Sequence, residues 1–350
     1  MTRSADTEHR YRRLGPMAPP EGFPEFVDAS VGPDGRAVAL WSTTADHDDL
    51  VARAELDDGA PSPTSRTSTA PPIALGVYTP SVSRPEDIVV VPNPPVPRPL
   101  VQPLVDGEFI LVGARCRWPS TGPEHNAVVV DASGAIVRTG TLGDGIEHLL
   151  ADGEGSLWVG YSDEGIFGNP DWWGPGRRPL GAAGIVKWSA TFDVLWEYSP
   201  PRTDPKNRHR GEDADGYRPA DCYTLNVSTR ENGTTRVRAC TYERFPLITI
   251  TDRAGSTTVT VEPTTGPRGP SSVLASDEHV AFLGSHRDHE SLLIGRLDAL
   301  TTFSAARLRL PGDGTHGTIR RVCRGGTAHL FLHNDWYVLD LAEPRHHRGC

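Results

Sequence analysis

The chain has 350 residues, and its Lys plus Arg number 35 against 45 Asp plus Glu, a formal charge of −10. That balance excludes gripping nucleic acid or an anionic membrane as the main task, while leaving room for a local basic patch. No apolar run approaches the roughly eighteen residues of a membrane span, and the longest, such as the IVVV from Ile88, fit buried strands.

The opening residues, MTRSADTEHRYRR, carry basic groups with no apolar stretch behind them, which is not a secretory-signal pattern. The expected location is the cytoplasm. From Phe26 onward the chain reads as pairs of short strands separated by turn chemistry, with 36 Gly and 32 Pro as punctuation. The first unit has FVDASV, a turn at Pro33, Asp34 and Gly35, then RAVALWS and LVARAEL. A Ser/Thr/Pro-rich excursion over 57–72 leads to IALGVY, and a second Pro-rich excursion over 80–99 is expected to hold at most one edge strand.

The second unit runs LVQPLV, Asp106-Gly107, EFILVGA, AVVVD and AIVRTG. In the third, HLLAD and SLWVGYS flank a tight turn at Asp152, Gly153 and Gly155, and AGIVKWS and VLWEYS follow a long loop. The fourth has CYTLNVS, the Asn232-Gly233 turn, TTRVRAC, LITIT and STTVTVE; the fifth SSVLA, HVAFLGS, SLLIGRL and AARLRL. The last has TIRRVC, TAHLFLH and WYVLDL, one strand short. In a closed ring the other terminus supplies that strand, and residues 9–14 are the candidate.

The expected fold is therefore all-β: a single β-propeller domain over 1–350, with six blades, or seven if 73–91 forms a blade of its own. Cys116, Cys222, Cys240, Cys323 and Cys350 contain no C-x-x-C pair and are expected to be reduced thiols. A two-residue Asn232-Gly233 turn would set Cys240 opposite Leu225 and keep it from Cys222.

The stretch IEHLLADGEGSLWVGYSDEGI, with GIVKW and VLWEYS after it, resembles the propeller repeats of two-component-regulator sensor domains and, more loosely, of NHL-type and gluconolactonase-type proteins. In those families a D-G-x-L-W turn leads into the second strand. The close match spans about one unit, so the resemblance implies the ring; the families include sensors, lyases, lactonases and scaffolds, and a fold does not choose among them.

Strand alternation puts the first-to-second and third-to-fourth turns at one end of such a ring and the remaining connections at the other. Residues 115–126, 162–183 and 200–220 should then crowd one face, where binding sites usually reside. The candidate ligand-binding residues there are His125, Asp163, Glu164, Asn169, Trp172, Trp173, His286 and His333. Each also has a plainer reading, because strand ends meet water and attract charge. Trp172 and Trp173 read either as a ligand platform or as side chains that fold back to pin their own Gly/Pro-rich loop. The charged stretch 202–215 reads as a solvated loop or a lid.

No G-x-x-x-x-G-K-[ST], G-x-S-x-G or H-E-x-x-H motif occurs. The sequence thus points to a non-catalytic binding or scaffolding module, without cofactor, whose loop-rich face engages a small polar ligand or a protein partner. The alternative is a metal-dependent, lactonase-like hydrolase with a divalent ion held by Asp163, Glu164 and His286.

Overall fold

A computed structural model describes residues 8–51, 54, 55, 61, 62, 71–97, 99–201, 217–285, 287–312 and 319–341. Within them the chain forms six blade sheets, five of four strands and one of five, besides a two-stranded ribbon of Ala54–Glu55 and Pro61–Ser62. Blade 1 comprises Glu25–Val31, Ala37–Ser42, Ile73–Tyr78 and Asp87–Val91; blade 2, Pro99–Pro103, Phe109–Gly113, Ala127–Val130 and Ile136–Gly140. Blade 3 comprises Ile146–Ala151, Leu157–Tyr161, Ile185–Trp188 and Val194–Glu197, and blade 4 Asp221–Thr229, Thr235–Tyr242, Leu247–Arg253 and Ser256–Glu262. Blade 5 has Ser272–Ala275, His279–Leu283, Ser291–Arg296 and Ala299–Arg309; blade 6 has Ile319–Arg324, Thr327–Leu332 and Asp335–Asp340.

The first strand of each blade touches the first strand of the next all the way round, from Glu25–Val31 back to itself through Ile319–Arg324. The molecule is a six-bladed β-propeller. Its core lies between blades: Trp41, Trp158 and Trp336 are almost wholly buried among Val, Ala and Ile of the facing sheets. This is how narrow sheets with two apolar faces leave water.

Blade 3 shows what its turn motif does. Asp152 accepts hydrogen bonds from the backbone N–H of Glu154 (3.0 Å) and Ser156 (2.9 Å), and its second oxygen accepts from Trp158 Nε1 (3.0 Å). One buried carboxylate therefore closes the turn and fixes the ring that packs the blade. Lys187 joins it, 3.7 Å from Asp152 and 2.5 Å from Asp252 of blade 4.

The N-terminal segment closes the ring in two pieces. Arg12–Pro16 completes blade 6 as an antiparallel fourth strand on Asp335–Asp340, with Arg13 paired to Tyr337 and Gly15 to Trp336. Just before it, Glu8–Arg10 lies parallel on Ala299–Arg309 of blade 5. The expected closing segment 9–14 is thus spread over two adjacent blades.

Two assignments need correction. The third strand of blade 1 is Ile73–Tyr78, not LVARAEL, because it pairs along the whole of Ala37–Ser42. Leu50 instead belongs to the short helix His47–Val51, and 73–91 is the outer half of blade 1 rather than a seventh blade. The Asn232 hairpin has a three-residue loop with Gly233 at φ 77°, which sets Cys240 opposite Thr224 instead of Leu225. Cys116, Cys222, Cys240 and Cys323 are free and buried. Most of 57–72, all of 202–215, His286 and Cys350 lie outside the described residues.

The channel is closed at its short-turn end. Arg324 donates from Nε to the Val31 carbonyl (2.7 Å), and from Nη1 to the carbonyls of Ala151 (2.8 Å) and Val227 (3.4 Å). Its Nη2 reaches Gln102 Oε1 at 3.1 Å, and Gln102 also accepts from Ala151 N and donates to Ser30. A side chain from blade 6 thereby holds blades 1, 2, 3 and 4 together at the short-turn end of the channel.

Candidate functional site

Innermost strands run from the loop-rich end toward the short turns, so their first residues stand at the mouth. A charged residue stands first or second in three of these strands: Glu147 in Ile146–Ala151, Asp221 in Asp221–Thr229 and Arg320 in Ile319–Arg324. The blade 2 loop adds Arg115, and the short helix Asp163–Phe167 of blade 3 adds Asp163 and Glu164.

Arg115 pairs with Glu164 and, through Nε, lies 3.2 Å from Asp144. Arg320 lies 3.1 Å from Asp28 of blade 1, which also accepts from Val101 N of blade 2 at 3.2 Å. Among the described residues, Glu147, Asp163 and Asp221 form no ion pair. Asp221 is pushed up to about 6, first by desolvation and then by Glu147 and Asp163. Glu147 is also raised, chiefly by desolvation; Arg320 and Arg115 draw it down, and Asp163 adds to the rise. Below them His148, whose Nε2 lies 3.1 Å from the Cys222 carbonyl, is lowered to about 4 by burial and by Arg320. It is a neutral imidazole at neutral pH.

Aromatic rings flank Asp221. Tyr223 stacks edge-on against Phe245 with centroids 5.1 Å apart, and Tyr242 packs on Phe245 at 5.8 Å while remaining 44% exposed. The mouth therefore offers hydrogen-bond acceptors, two guanidinium groups and an aromatic wall, above a plugged channel. Such a surface can hold a small polar molecule by its hydroxyl or amine donors.

The residues singled out from sequence distribute unevenly. Asp163 and Glu164 stand at the mouth. Asn169 is a loop pin, accepting from Asp171 N at 2.9 Å and donating to Asp144. Trp172 is buried: its Nε1 donates to the Cys116 carbonyl (2.6 Å) and its ring meets Trp118 edge-on at 4.7 Å. Trp173 is 60% exposed beside Phe167, which is 63% exposed. His125 lies near the rim, 3.2 Å from Thr139 of the outermost blade 2 strand, and His333 is exposed in a blade 6 turn at φ 54°. His286 is outside the described residues.

Sequence reasoning missed Glu147, Asp221, Arg115 and Arg320. For the three on strands, the available signal was a charged residue among the first two positions of a blade's innermost strand. Among the described residues no three His, Cys, Asp or Glu side chains stand close enough together to hold a metal ion, and no helix is long and apolar enough to cross a membrane.

A separate cavity lies on the short-turn face between blades 1 and 2. It measures about 630 Å³, with Ile88 and Val105 on its walls and Asp34, Asp87, Asp106 and Glu108 around it.

No family model matches the chain, and no curated protein does. Among solved structures it is similar to regucalcin, a calcium-binding protein from Agrobacterium tumefaciens, at 12% identity over 96% of this chain and 95% of that one, with a TM-score of 0.45. A gluconolactonase from Xanthomonas campestris is 12% identical over 95% of this chain and 90% of its own, with a TM-score of 0.43. AztD from Citrobacter koseri is 13% identical over 90% of this chain and 83% of its own, at 0.37. Likenesses at that level carry no argument about activity, and the assignment to the six-bladed propeller fold rests on the chain's own sheets.

Proposed function

We propose that this protein is a non-catalytic binding module that holds a small polar ligand at the loop-rich mouth of its channel. The observation that supports this most is the meeting of Arg115, Glu147, Asp163, Asp221 and Arg320 from four separate blades, with the Asp221 carboxyl pushed up to about 6 by enclosure and by two neighbouring carboxylates. Holding like charges together costs stability, and a ligand that donates hydrogen bonds or brings positive charge removes the cost.

The test is a thermal-unfolding shift with putrescine, glucose and calcium ion as separate probes, on the natural protein and on Asp221→Asn. The reading expects an organic probe to raise the midpoint, and expects Asp221→Asn to abolish the rise. A response to calcium alone, lost in Asp163→Asn, would transfer support to the metal-dependent hydrolase. That alternative has less behind it: Glu164 is occupied by Arg115, and Asp163 accepts from the backbone N–H of Glu164 at 2.8 Å. If none of the three probes acts, the mouth is not a site for these ligand classes.

A protein partner on the same face is a second reading, favoured by the adjacent exposed rings of Phe167 and Trp173. A Trp172→Ala/Trp173→Ala double variant would lose such a partner in pull-down. Trp173→Ala alone should do the same, because Trp172 is the one that pins the loop.

A further inference from the structure

Blade 4 carries an unusual face toward blade 5. Arg236 and Arg238 lie two residues apart on Thr235–Tyr242 and so point to the same side of the sheet, opposite Ser228 and Asn226 of the innermost strand. Arg230 joins them from the hairpin turn. The three guanidinium groups border a cavity of about 290 Å³ on the short-turn face, together with Ser228, Ser276, Asp277 and the Gly325-Gly326 turn. In a chain of net charge −10 this is a concentrated positive site.

Among the described residues, Asp277 is the acidic group that forms ion pairs with it. Its carboxylate pairs with Arg230 and, at 2.9 Å, with Arg236, yet its side chain is 70% exposed. Arg238 has no such partner. It is 7% exposed, and its buried Nε and Nη1 make no hydrogen bond. Burial is the main force lowering its pKa, to about 10; Arg236 and Arg230 lower it too, and Glu262 works against them. Folding a guanidinium away from water with two of its donors unused and two like charges nearby is costly, and native structures keep such groups where something comes to them.

We propose that this pocket binds a phosphate monoester dianion, with Arg238 at its floor and Arg230 and Arg236 at its rim. The three guanidiniums outnumber the carboxylates that reach them, and a dianion answers that excess better than a monocarboxylate does. Planar forked donors suit tetrahedral oxyanions, and the hydroxyls of Ser228 and Ser276 add neutral donors. Asp277 occupies the rim guanidiniums until the anion displaces it. The site is on the face opposite the channel mouth and is independent of the function proposed there.

Calorimetric titration with inorganic phosphate at pH 8 and fixed ionic strength tests the proposal on the full chain. The natural protein should bind; Arg238→Met should weaken binding at least tenfold, and Asp277→Asn should strengthen it severalfold by removing the competitor. Arg238→Met should also unfold no earlier than the natural protein without phosphate, since the variant no longer buries an unpaired charge. Should it fail to fold, Arg236→Gln, at a half-exposed position, is expected to weaken binding in the same direction. A sedimentation arm with vesicles containing phosphatidic acid separates a soluble phosphate compound from a lipid headgroup as the source. Absence of heat with both the natural protein and Asp277→Asn, together with no sedimentation, overturns the proposal. So does undiminished binding by Arg238→Met, which would mark a general salt effect.

Discussion

At the scale of single residues, two charged side chains tie separate parts of the ring together. Asp152 completes a turn and fixes a tryptophan at once, so the stretch from Asp152 to Trp158 carries a local signature of its hairpin. Arg324 was not readable, because nothing local distinguishes it from a surface arginine at a turn. Its worth comes from where the ring places it, against carbonyls contributed by three other blades. Burial lowers its pKa to about 10, so it stays charged at neutral pH. Replacing it with leucine would take the guanidinium donors from those carbonyls and leave Gln102 Oε1 with Ala151 N alone, at a cost on the order of 1–3 kcal/mol for each group left without any donor and out of reach of water. Arg324→Leu should therefore lower unfolding free energy by about 3 kcal/mol, read as a fall in the urea midpoint with the slope unchanged. Arg324→Lys should recover only part, since one ammonium cannot span carbonyls on separate strands. A leucine variant within about 0.5 kcal/mol of the natural protein would show that the plug is not a tie.

At the scale of strands, the closing segment is where local pattern and long-range pairing part. Turn glycines and alternating apolar residues made the blade strands visible, and the missing strand of blade 6 could be counted. The two-part docking of the N-terminal segment could not, since parallel pairing of Glu8–Arg10 on blade 5 has no turn to announce it. The misread third strand of blade 1 has the same origin: LVARAEL and IALGVY are both apolar, and only pairing with Ala37–Ser42 chooses between them. Closure should dominate stability. Removing residues 1–17 would strip the partner from Asp335–Asp340 and uncover the pocket of Tyr11 and Met17, which are 8% and 1% exposed. A chain starting at Ala18 should unfold at markedly lower urea and associate through the bared edge, and a peptide of residues 8–17 added in trans should restore the midpoint. Unchanged unfolding after truncation would mean that the ring does not depend on this latch.

At the scale of the whole molecule, the mouth and the ring draw on the same free energy, and pH separates their shares. The sequence showed the ring and the face on which its loops gather; it did not show the mouth, because Glu147, Asp221 and Arg320 are distant in the chain and meet only after closure. Acid acts on this arrangement with two signs. His148 and His329 have folded values near 4 against an ordinary 6.5, so the unfolded chain takes up protons first and their stabilisation, complete above pH 6.5, is lost as pH falls toward 4. Asp221 runs the other way: raised from 3.8 to about 6, it destabilises the fold while ionised, and that penalty disappears as pH falls through 6 toward 3.8. Asp221→Asn should thus be more stable than the natural protein at pH 7.5 and should lose this advantage by pH 4. His329→Gln should behave oppositely, with its benefit relative to the natural protein greatest at pH 4 and smallest at pH 7.5. Urea unfolding at both pH values checks the crossing. If Asp221→Asn held a constant difference across the range, Asp221 would be an ordinary surface carboxylate, and the strain that supports the mouth as a binding site would be gone with it.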